Sequence, residues 1–300
     1  MRIVIGLGGN ALLRRGEPLT QEAQQRNVMR AASALAAVAR EHEIVVTHGN
    51  GPQVGLLAIQ DQATPGLGGF SLDVLGAETE GMIGYLLAQE LRNALPGARV
   101  ASILTQVEVD PDDPAFRSPS KPVGPMYTRA QADAVVKAKS WSVAPDGDGF
   151  RRVVPSPKPL RVLEIDTLRL LVEAGTLVIC AGGGGIPVVF DPWGRVHGVD
   201  AVIDKDRSAA LLARELAADM LLLLTDVPCV YTDWGGPSAK ALARVTPGEL
   251  RALALPDGSM GPKVEAAADF VERTGGLAAI GALEDAAAIV RGEAGTRVVG

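Results

Sequence analysis

Two lysines carry the strongest chemical signal in this chain. Lys205 lies between Asp204 and Asp206 before a predicted helix, and Lys263 follows Pro262 at the start of a later one. Lysines that an aspartate directs toward developing negative charge are what a loose phosphoryl transition state requires. Either lysine alone could equally form a solvated salt bridge. Lys205, Asp206 and Lys263 are therefore candidate catalytic residues for phosphoryl transfer to a small acceptor.

Glycine-rich segments at the ends of apolar runs add a second signal. They occur at residues 8–10, 49–51 and 182–185. Glycine lets a small anion approach backbone N–H groups at such strand ends. A tight turn without a ligand explains the first segment equally well, but the second glycine-lined strand end favours anion binding. The candidate phosphate-binding or substrate-binding residues are Gly8, Gly9, Asn10, Gly49, Asn50, Gly51, Gly183 and Gly184.

Two common nucleotide-binding motifs are weak or missing. Residues 6–11 match the G-x-G-x-x-A form of a dinucleotide-binding turn, but the second strand ends in Thr47-His48-Gly49, where such a fold places Asp or Glu. The sequence has no G-x-x-x-x-G-K-S/T segment, which excludes a P-loop enzyme. We interpret His48 as a structural residue, because phosphoryl transfer to an anionic acceptor needs no general base.

The elements that must position these residues alternate along the chain. Near-continuous apolar runs are typical of strands covered on both faces, and they occur at residues 2–7, 44–47, 99–105, 176–181, 220–225, 277–281 and 297–299. Capping residues and prolines predict helix starts at Thr20, Pro52, Asp206, Thr246 and Pro262, with a stop at Gly275. The predicted fold class is α/β, a three-layer αβα sandwich around a mostly parallel sheet.

A proline-rich segment at about residues 111–159 interrupts this rhythm. It contains one predicted helix, beginning near Thr128, and its two ends are rich in proline. The segment is too long for an ordinary loop, so we expect a protruding subdomain that acts as a lid.

Composition and charge restrict the class of protein. The 300 residues are 47% hydrophobic, enough for a sizeable core in one large or two modest domains. A net charge of −6 without a basic block argues against a nucleic-acid partner. Cys180 and Cys229 lack C-x-x-C spacing and are predicted to be buried thiols. We find no signal peptide or membrane-spanning run and expect a cytoplasmic protein without membrane partners.

Short motifs spread over essentially the whole chain point to one family. They are GGNA at 8–11, HGNGPQ at 48–53, KPVGP at 121–125, VVPSPKP at 153–159, CAGGGGIP at 180–187, VIDKD at 202–206 and GSMGPK at 258–263. In this combination they resemble carbamate kinase, within the amino acid kinase superfamily. Relatives such as acetylglutamate kinase carry a lysine on the first strand, where this chain has Gly6. Carbamate kinases bring a lysine from the protruding subdomain instead, which matches Lys121.

The resemblance implies a role for each motif residue. Lys121 and Lys205 would contact carbamoyl phosphate or the transferring phosphoryl group, Asp206 would order the lysines, and Lys263 would bind nucleotide phosphate. One position departs from the family pattern, because Glu80 stands where carbamate kinases have glutamine. The residues expected near the nucleotide are Thr225, Asp226, Val227, Tyr231, Met260 and Lys263.

The implied activity is reversible phosphoryl transfer between ATP and carbamate, giving ADP and carbamoyl phosphate, used to make ATP in arginine catabolism. Mg²⁺ would accompany the nucleotide and could be held by phosphates and water. We expect one domain over residues 1–300, with a carbamate lobe at 1–200 that contains the lid and a nucleotide lobe at 201–300. A homodimer is expected from the family alone. Two alternatives are another small-acid kinase of the same superfamily and a sensor that binds nucleotide or oxyanion without turnover.

Overall fold

The structure is a computed structural model, and it describes residues 1–13, 17–18, 20–63, 69–139, 141–234, 236–253 and 260–300. Gly258 and Ser259 of the last family motif lie outside these residues. The strands are β1 (Arg2–Leu7), β2 (Glu43–His48), β3 (Val100–Ser102), β4 (Gln106–Val109), β5 (Lys121–Tyr127), β6 (Val143–Asp146), β7 (Gly149–Val154), β8 (Pro159–Val162), β9 (Leu177–Ile179), β10 (Ile186–Phe190), β11 (Val196–Gly198), β12 (Met220–Thr225), β13 (Val230–Thr232), β14 (Lys240–Leu242), β15 (Arg244–Val245), β16 (Leu277–Ala282) and β17 (Thr296–Val298).

Helices connect and cover these strands. The α-helices are α1 (Gly9–Leu12), α2 (Gln21–Ala39), α3 (Gly51–Ala63), α4 (Leu72–Ala94), α5 (Arg129–Lys139), α6 (Ile165–Glu173), α7 (Lys205–Glu215), α8 (Pro247–Arg251), α9 (Met260–Thr274) and α10 (Ala286–Arg291). Thr20 caps α2 by accepting a hydrogen bond from Ala23 N–H, and Thr246 with Glu249 forms the predicted capping box of α8. Gly275 has a φ of +69°, the left-handed conformation that ends α9 as predicted.

The central sheet has eight strands in the order β15-β17-β16-β12-β1-β2-β9-β3. Its pairs are parallel except for β16 with β17. Side chains of successive residues alternate between two apolar clusters, so Val4 packs on one face and Ile3 and Ile5 on the other. Helices α7 and α9 contribute to the first cluster, and α2 and α4 to the second. The predicted three-layer α/β fold is therefore confirmed.

The sheet explains why the site residues converge. Strands β12, β1, β2 and β9 are neighbours and parallel, so their carboxyl ends meet at one edge of the sheet. Thr225, Gly8 and Gly49 stand at or just after three of these ends. Ligands of open α/β sheets bind at this edge.

The insert forms the expected subdomain but contains more structure than the sequence predicted. Strands β5, β7 and β6 make a three-stranded antiparallel sheet with α5 beside it. The predicted helix near Thr128 is α5. The strands were missed because prolines interrupt β5 and β6 and because β7 has no continuous apolar run. Lys121 is the first residue of β5.

Several local predictions were wrong, among them the start of α9, which begins at Met260 and not at Pro262. Residues 99–105 are not one strand, because β3 ends at Ser102 and β4 belongs to a separate sheet of order β11-β10-β4-β8. The strand predicted at 176–181 is shorter, since Ala181 turns away with a φ of +49°. The cap of α7 is Asp204 and not Asp206, because Asp204 accepts hydrogen bonds from the N–H groups of Asp206 and Arg207.

The helices bury apolar residues against the two faces of the sheet. None of the helices in the described residues combines the length and apolarity that crossing a membrane requires.

Candidate active site

Asp206 joins the two lysines singled out in the sequence. Its Oδ2 atom lies 3.1 Å from Nζ of Lys205 and 3.0 Å from Nζ of Lys263. Asp206 and Lys263 are each only 1% exposed. Two cations on one buried carboxylate leave an excess of positive charge, which suits an anionic ligand. The structure thus brings together residues that are separated by 57 positions in the sequence.

Burial and pairing act in opposite directions on the two lysines. Burial alone would lower the pKa of Lys205, but Asp206 and Asp204 outweigh it and the pKa is raised. Burial lowers the pKa of Lys263, assisted by the Lys205 charge and opposed by Asp206. Lys205 is therefore the more firmly protonated of the two ammonium groups.

The lid reaches the same cluster through Lys121. Its Nζ atom donates a hydrogen bond of 2.8 Å to Oδ2 of Asp204. The other oxygen of Asp204 accepts from Asp206 N–H at 2.9 Å at the start of α7. Burial would raise the pKa of Asp204, but the ammonium groups of Lys121 and Lys205 hold it well below its usual range. Asp204 is thus an ionised carboxylate that connects the lid with the helix carrying Lys205.

Backbone packing explains the glycines of the first two strand ends. A Cβ on Gly49 would lie 3.0 Å from Gly9 N and 3.2 Å from Cδ of Lys205, so Gly49 borders both Gly9 and the lysine stem. Gly8 donates to Leu224 O at 2.9 Å, and a Cβ there would lie 3.6 Å from Cα of Thr225. The strand ends at residues 8–9 and 49 are therefore in contact with one another and with Lys205. Asn10 lies in α1 and Gly51 begins α3.

The glycine run at 182–185 forms a turn with repeated left-handed backbone. The φ angles are +49° at Ala181, +68° at Gly183, +104° at Gly184 and +84° at Gly185. A Cβ on Gly183 would overlap the side-chain amide of Asn50, which brings these two predicted residues into contact. Ser208 of α7 donates to Gly184 O at 2.7 Å. We call residues 181–185 the glycine loop.

Sequence reasoning did not assign the residues that support this loop, and it singled out Glu80 only as a departure from the family pattern. Thr79 accepts a hydrogen bond of 2.8 Å from the Asn50 amide, and Glu80 accepts from Gly182 N–H at 2.8 Å. Thr105 accepts from Ala181 N–H at 2.9 Å through its hydroxyl. Thr79 and Glu80 are polar residues on the buried face of α4, beside Ile83. Polar residues at core positions of a helical period are the sequence signal that could have identified them.

His48 is buried, as the structural interpretation required, and its ring accounts for another glycine. Its Nδ1 atom lies 3.1 Å from Gly49 O, and its Nε2 has no hydrogen-bond partner among the described residues. Burial lowers the pKa of His48 to about 4, so the ring is neutral at pH 7. A Cβ on Gly182 would overlap this ring.

The residues predicted at the nucleotide lie at the end of β12 and beyond it. Thr225 is buried and donates to Oδ1 of Asp226 at 3.1 Å, and Val227 follows in the connection to β13. The ring of Tyr231 lies 5.0 Å from that of Trp234, and Met260 begins α9. Thr225 lies against Gly8 of the first glycine-rich segment, whereas Tyr231 and Met260 lie on elements that follow β12 in the chain.

Both cysteines are free and buried, as predicted. Among the described residues, no three His, Cys, Asp or Glu side chains converge on a metal-binding point.

Comparison with known proteins agrees with this arrangement. The amino acid kinase family matches residues 1–280, and the chain belongs to that family. It is 53% identical to the carbamate kinase of Haemophilus influenzae over 99% of this chain and 96% of that one. It is 54% identical to the carbamate kinase of Rhizobium meliloti over 99% of this chain and 92% of that one.

Solved structures lead to the same group. The carbamate kinase of Giardia lamblia bound to AMP-PNP aligns with a TM-score of 0.91 and 39% identity, covering 99% of this chain and 98% of that one. Within the amino acid kinase family, the chain thus falls among the carbamate kinases. Its activity is ATP-dependent phosphoryl transfer with carbamate as the acceptor, which confirms the function expected from the motifs.

Proposed function

We propose that the cluster of Lys205, Asp206 and Lys263 carries this phosphoryl transfer. Lys205 contacts the transferring group, Asp206 orders the lysines, and Lys263 binds nucleotide phosphate. The observation that carries the proposal is the single buried carboxylate of Asp206 within 3.1 Å of both ammonium groups. Donors held in place before the reaction stabilise charge that develops on the transferring oxygens without reorganising.

The physical problem is to bring two anions together. An ammonium group about 4 Å from an anion contributes roughly 1 kcal/mol in bulk water and about 4 kcal/mol at an effective dielectric constant of 20. Exclusion of water by the lid therefore strengthens each charge contact. Lys121 approaches from the lid. When the substrate binds, the Lys121 ammonium group leaves Asp204 and contacts the phosphoryl group or carbamoyl phosphate.

Backbone groups and the β12 end complete the proposal. The acceptor is held by residues of the strand ends and the glycine loop, and the nucleotide lies against the β12 end. The proposed acceptor residues are Gly8, Gly9, Asn10, Gly49, Asn50, Gly51, Gly183 and Gly184. The proposed nucleotide residues are Thr225, Asp226, Val227, Tyr231, Met260 and Lys263.

The division into lobes follows from these assignments. Residues 1–200 carry the acceptor and the lid at about 111–159, and residues 201–300 carry the nucleotide. The divalent cation required for ATP chemistry is Mg²⁺, which enters with the nucleotide and neutralises phosphate charge. The protein works in the cytoplasm and uses carbamoyl phosphate from arginine catabolism to make ATP.

An apolar face of α4 supports the proposal of a homodimer. Val74, Met82 and Tyr85 lie on its outer side, and Tyr85 is 62% exposed. Leu104 is 52% exposed, and Gly81 of α4 lies beside it, since a Cβ on Gly81 would be 4.0 Å from Cδ2 of Leu104. A cluster of exposed apolar side chains of this kind is typical of protein interfaces.

The test of the activity is a coupled assay for ATP. Purified protein with Mg²⁺, ADP and carbamoyl phosphate should make ATP, while acetyl phosphate and N-acetylglutamate should be poor substrates. Robust turnover with either of these and none with carbamoyl phosphate would overturn the proposal. Binding of MgADP without any turnover would favour the sensor instead.

A further inference from the structure

Glu80 is a buried acid whose position the reaction described above does not explain. It lies in the middle of α4 and is 1% exposed. Its Oε1 atom accepts from Gly182 N–H at 2.8 Å and its Oε2 atom accepts from Thr105 N–H at 3.2 Å. The carboxyl group thus ties the glycine loop to the segment between β3 and β4. A single side chain connects two segments that are distant from each other in the sequence.

The loop that Glu80 holds cannot keep its shape unaided. Ala181 has a φ of +49°, a backbone conformation that residues with a side chain rarely adopt. Three glycines with positive φ follow within four residues. Such a backbone persists only where its surroundings determine it. Besides the loop's own hydrogen bonds from Gly184 N–H to Ala181 O and from Gly185 N–H to Gly182 O, the side-chain supports in the described residues are Glu80 on Gly182, Thr105 on Ala181 and Ser208 on Gly184.

The same helix also supports the other half of the acceptor site. Thr79, the residue before Glu80, holds the Asn50 amide, which in turn lies against Gly183. A Cβ on Gly182 would lie 3.0 Å from Cγ of Glu80 and would overlap the His48 ring. Glu80 and His48 therefore fill the space beneath Gly182. The shape of the glycine loop follows from the packing of α4 below it.

The surroundings of Glu80 favour its neutral form. Burial raises the pKa of Glu80 to about 8, against the lowering effect of the two backbone N–H groups and the Thr105 hydroxyl. Within the part of the chain that the structure describes, the titratable groups beside it supply no positive charge, since the His48 pKa is about 4, burial raises the pKa of Cys180 well above its usual range, and Glu164 acts as a further negative charge.

We propose that Glu80 is a positioning residue that, as a neutral carboxylic acid, holds the glycine loop ready for an anion. Ionisation of Glu80 weakens the binding of carbamoyl phosphate. This inference rests on the proposed role of the glycine loop in binding the acceptor. A carboxylate beneath the loop places a negative charge close to the anionic ligand, whereas a carboxylic acid does not. The ligand and the proton therefore favour each other's binding.

The sign of the pH effect follows from this coupling. Below pH 8 Glu80 is mostly protonated and the KM for carbamoyl phosphate is low. As the pH rises past that value, the carboxyl group ionises and the KM should rise by roughly five- to tenfold, as expected for one charge acting through a partly screened protein interior. The KM for ADP should not share this rise, because the nucleotide binds at the β12 end.

The test compares the native protein with Glu80→Gln in full kinetics between pH 6.5 and 9.5. Glutamine is neutral at every pH, so its KM for carbamoyl phosphate should not rise across the window, while that of the native protein should. Glu80→Leu, which removes both hydrogen bonds to the loop, should raise this KM at every pH. Circular-dichroism melts report whether each variant is folded.

Two results would overturn the inference. One is the same rise of KM with pH in the native protein and Glu80→Gln, which would assign the titration to the lysines. The other is calorimetry at pH 8 in buffers of different ionisation enthalpy in which the native protein takes up no proton on binding carbamoyl phosphate, a result that stands even if a variant fails to fold. Absence of any ATP from carbamoyl phosphate in the native protein would instead contradict the proposed function itself.

Discussion

Asp206 determines the electrostatics of the site at the scale of single residues. Its carboxylate is shared by two lysines, and removal of one partner from a buried ionic group leaves uncompensated charge. Lys205 and Lys263 do not respond equally, because the Lys205 pKa is raised and the Lys263 pKa is lowered. We therefore expect Lys205 to provide the charge that the transition state needs.

Lys205→Ala should lower kcat by about 10² to 10³, which corresponds to roughly 3 to 4 kcal/mol, as for loss of another preorganised transition-state donor. The fold should survive, since Asp206 keeps Lys263 as a partner. Steady-state kinetics with a circular-dichroism melt measures both effects. Lys137→Ala on the exposed side of α5 is the matched control and should be silent.

A different outcome would assign Lys205 another role. If Lys205→Ala loses activity only because the variant unfolds, the lysine is structural and its catalytic assignment fails. If kcat is unchanged in a folded variant, the lysine does not contact the transferring group.

The sequence identified the charged side chains of the site but not which of them form ion pairs. Lys205, Asp206 and Lys263 were predictable because charged groups close to glycine-rich strand ends are typical of phosphate-binding sites. The ion pair between Lys121 and Asp204 spans 83 positions and exists only because the lid packs against the sheet domain, so no local pattern encodes it. The support of the glycine loop by Thr79 and Thr105 depends on tertiary contacts in the same way.

At the scale of elements, the contact between α3 and the lid is too close to admit an added side chain. A Cβ on Gly55 of α3 would lie 2.6 Å from Cα of Gly124 in β5, so the two backbones meet without side chains between them. Val54 and Leu72 pack with Val123 in a small apolar cluster at the same junction. The position of Lys121 at the start of β5 therefore depends on a glycine in α3.

Gly55→Ala should displace the lid and lower kcat by about tenfold, a cost comparable to that of modest overpacking. The affinity for MgADP should stay near its native value, because the nucleotide is assigned to the other lobe. Titration calorimetry beside kinetics separates the two quantities. Gly76→Ala in α4 is the control, because a Cβ there meets nothing within 4 Å. Gly55→Ala and Gly76→Ala both improve helix propensity, so the two variants differ only in the contact with the lid.

Equal losses of ADP affinity and kcat in Gly55→Ala would mean that the lid belongs to the nucleotide site. A loss in Gly76→Ala as large as that in Gly55→Ala would show that helix rigidity, and not lid contact, limits turnover.

The main sheet was more predictable than the insert for a physical reason. Strands such as β12 are buried on both faces, so their apolar runs are continuous and easy to recognise. Strands β5 and β6 contain prolines, and β7 is short and only partly buried, so their pattern resembles that of a loop. The start of α7 was misplaced because both Asp204 and Asp206 are good capping residues, and only the backbone geometry decides between them.

At the scale of the whole molecule, the exposed face of α4 leads to a test of assembly. Tyr85→Glu should weaken the proposed homodimer by at least about tenfold, because it places a charge in an apolar interface. Light scattering coupled to size-exclusion chromatography over a range of protein concentrations measures the change. Leu170→Glu is the matched control, since Leu170 is exposed on α6, away from this face.

A Tyr85→Glu variant that stays dimeric at all concentrations would contradict the assignment of this face. A native protein that is monomeric throughout would contradict the homodimer itself. Since Thr79 and Glu80 lie on the opposite, buried side of the same helix, activity of a monomeric variant would also report whether assembly supports the acceptor site.

The two oxygens of Asp204 have separate tasks, and this has a consequence for local stability. Oδ1 caps α7 through the N–H groups of Asp206 and Arg207, while Oδ2 holds Lys121 of the lid. Departure of the lid removes the second bond and leaves the first in place. The amide hydrogen of Val202, which donates to Pro155 O of the lid, should therefore exchange with solvent deuterium whenever the lid opens, while the amides at the start of α7 exchange only in rarer events. The helix that carries Lys205 can thus stay intact through every opening that admits a substrate or releases a product.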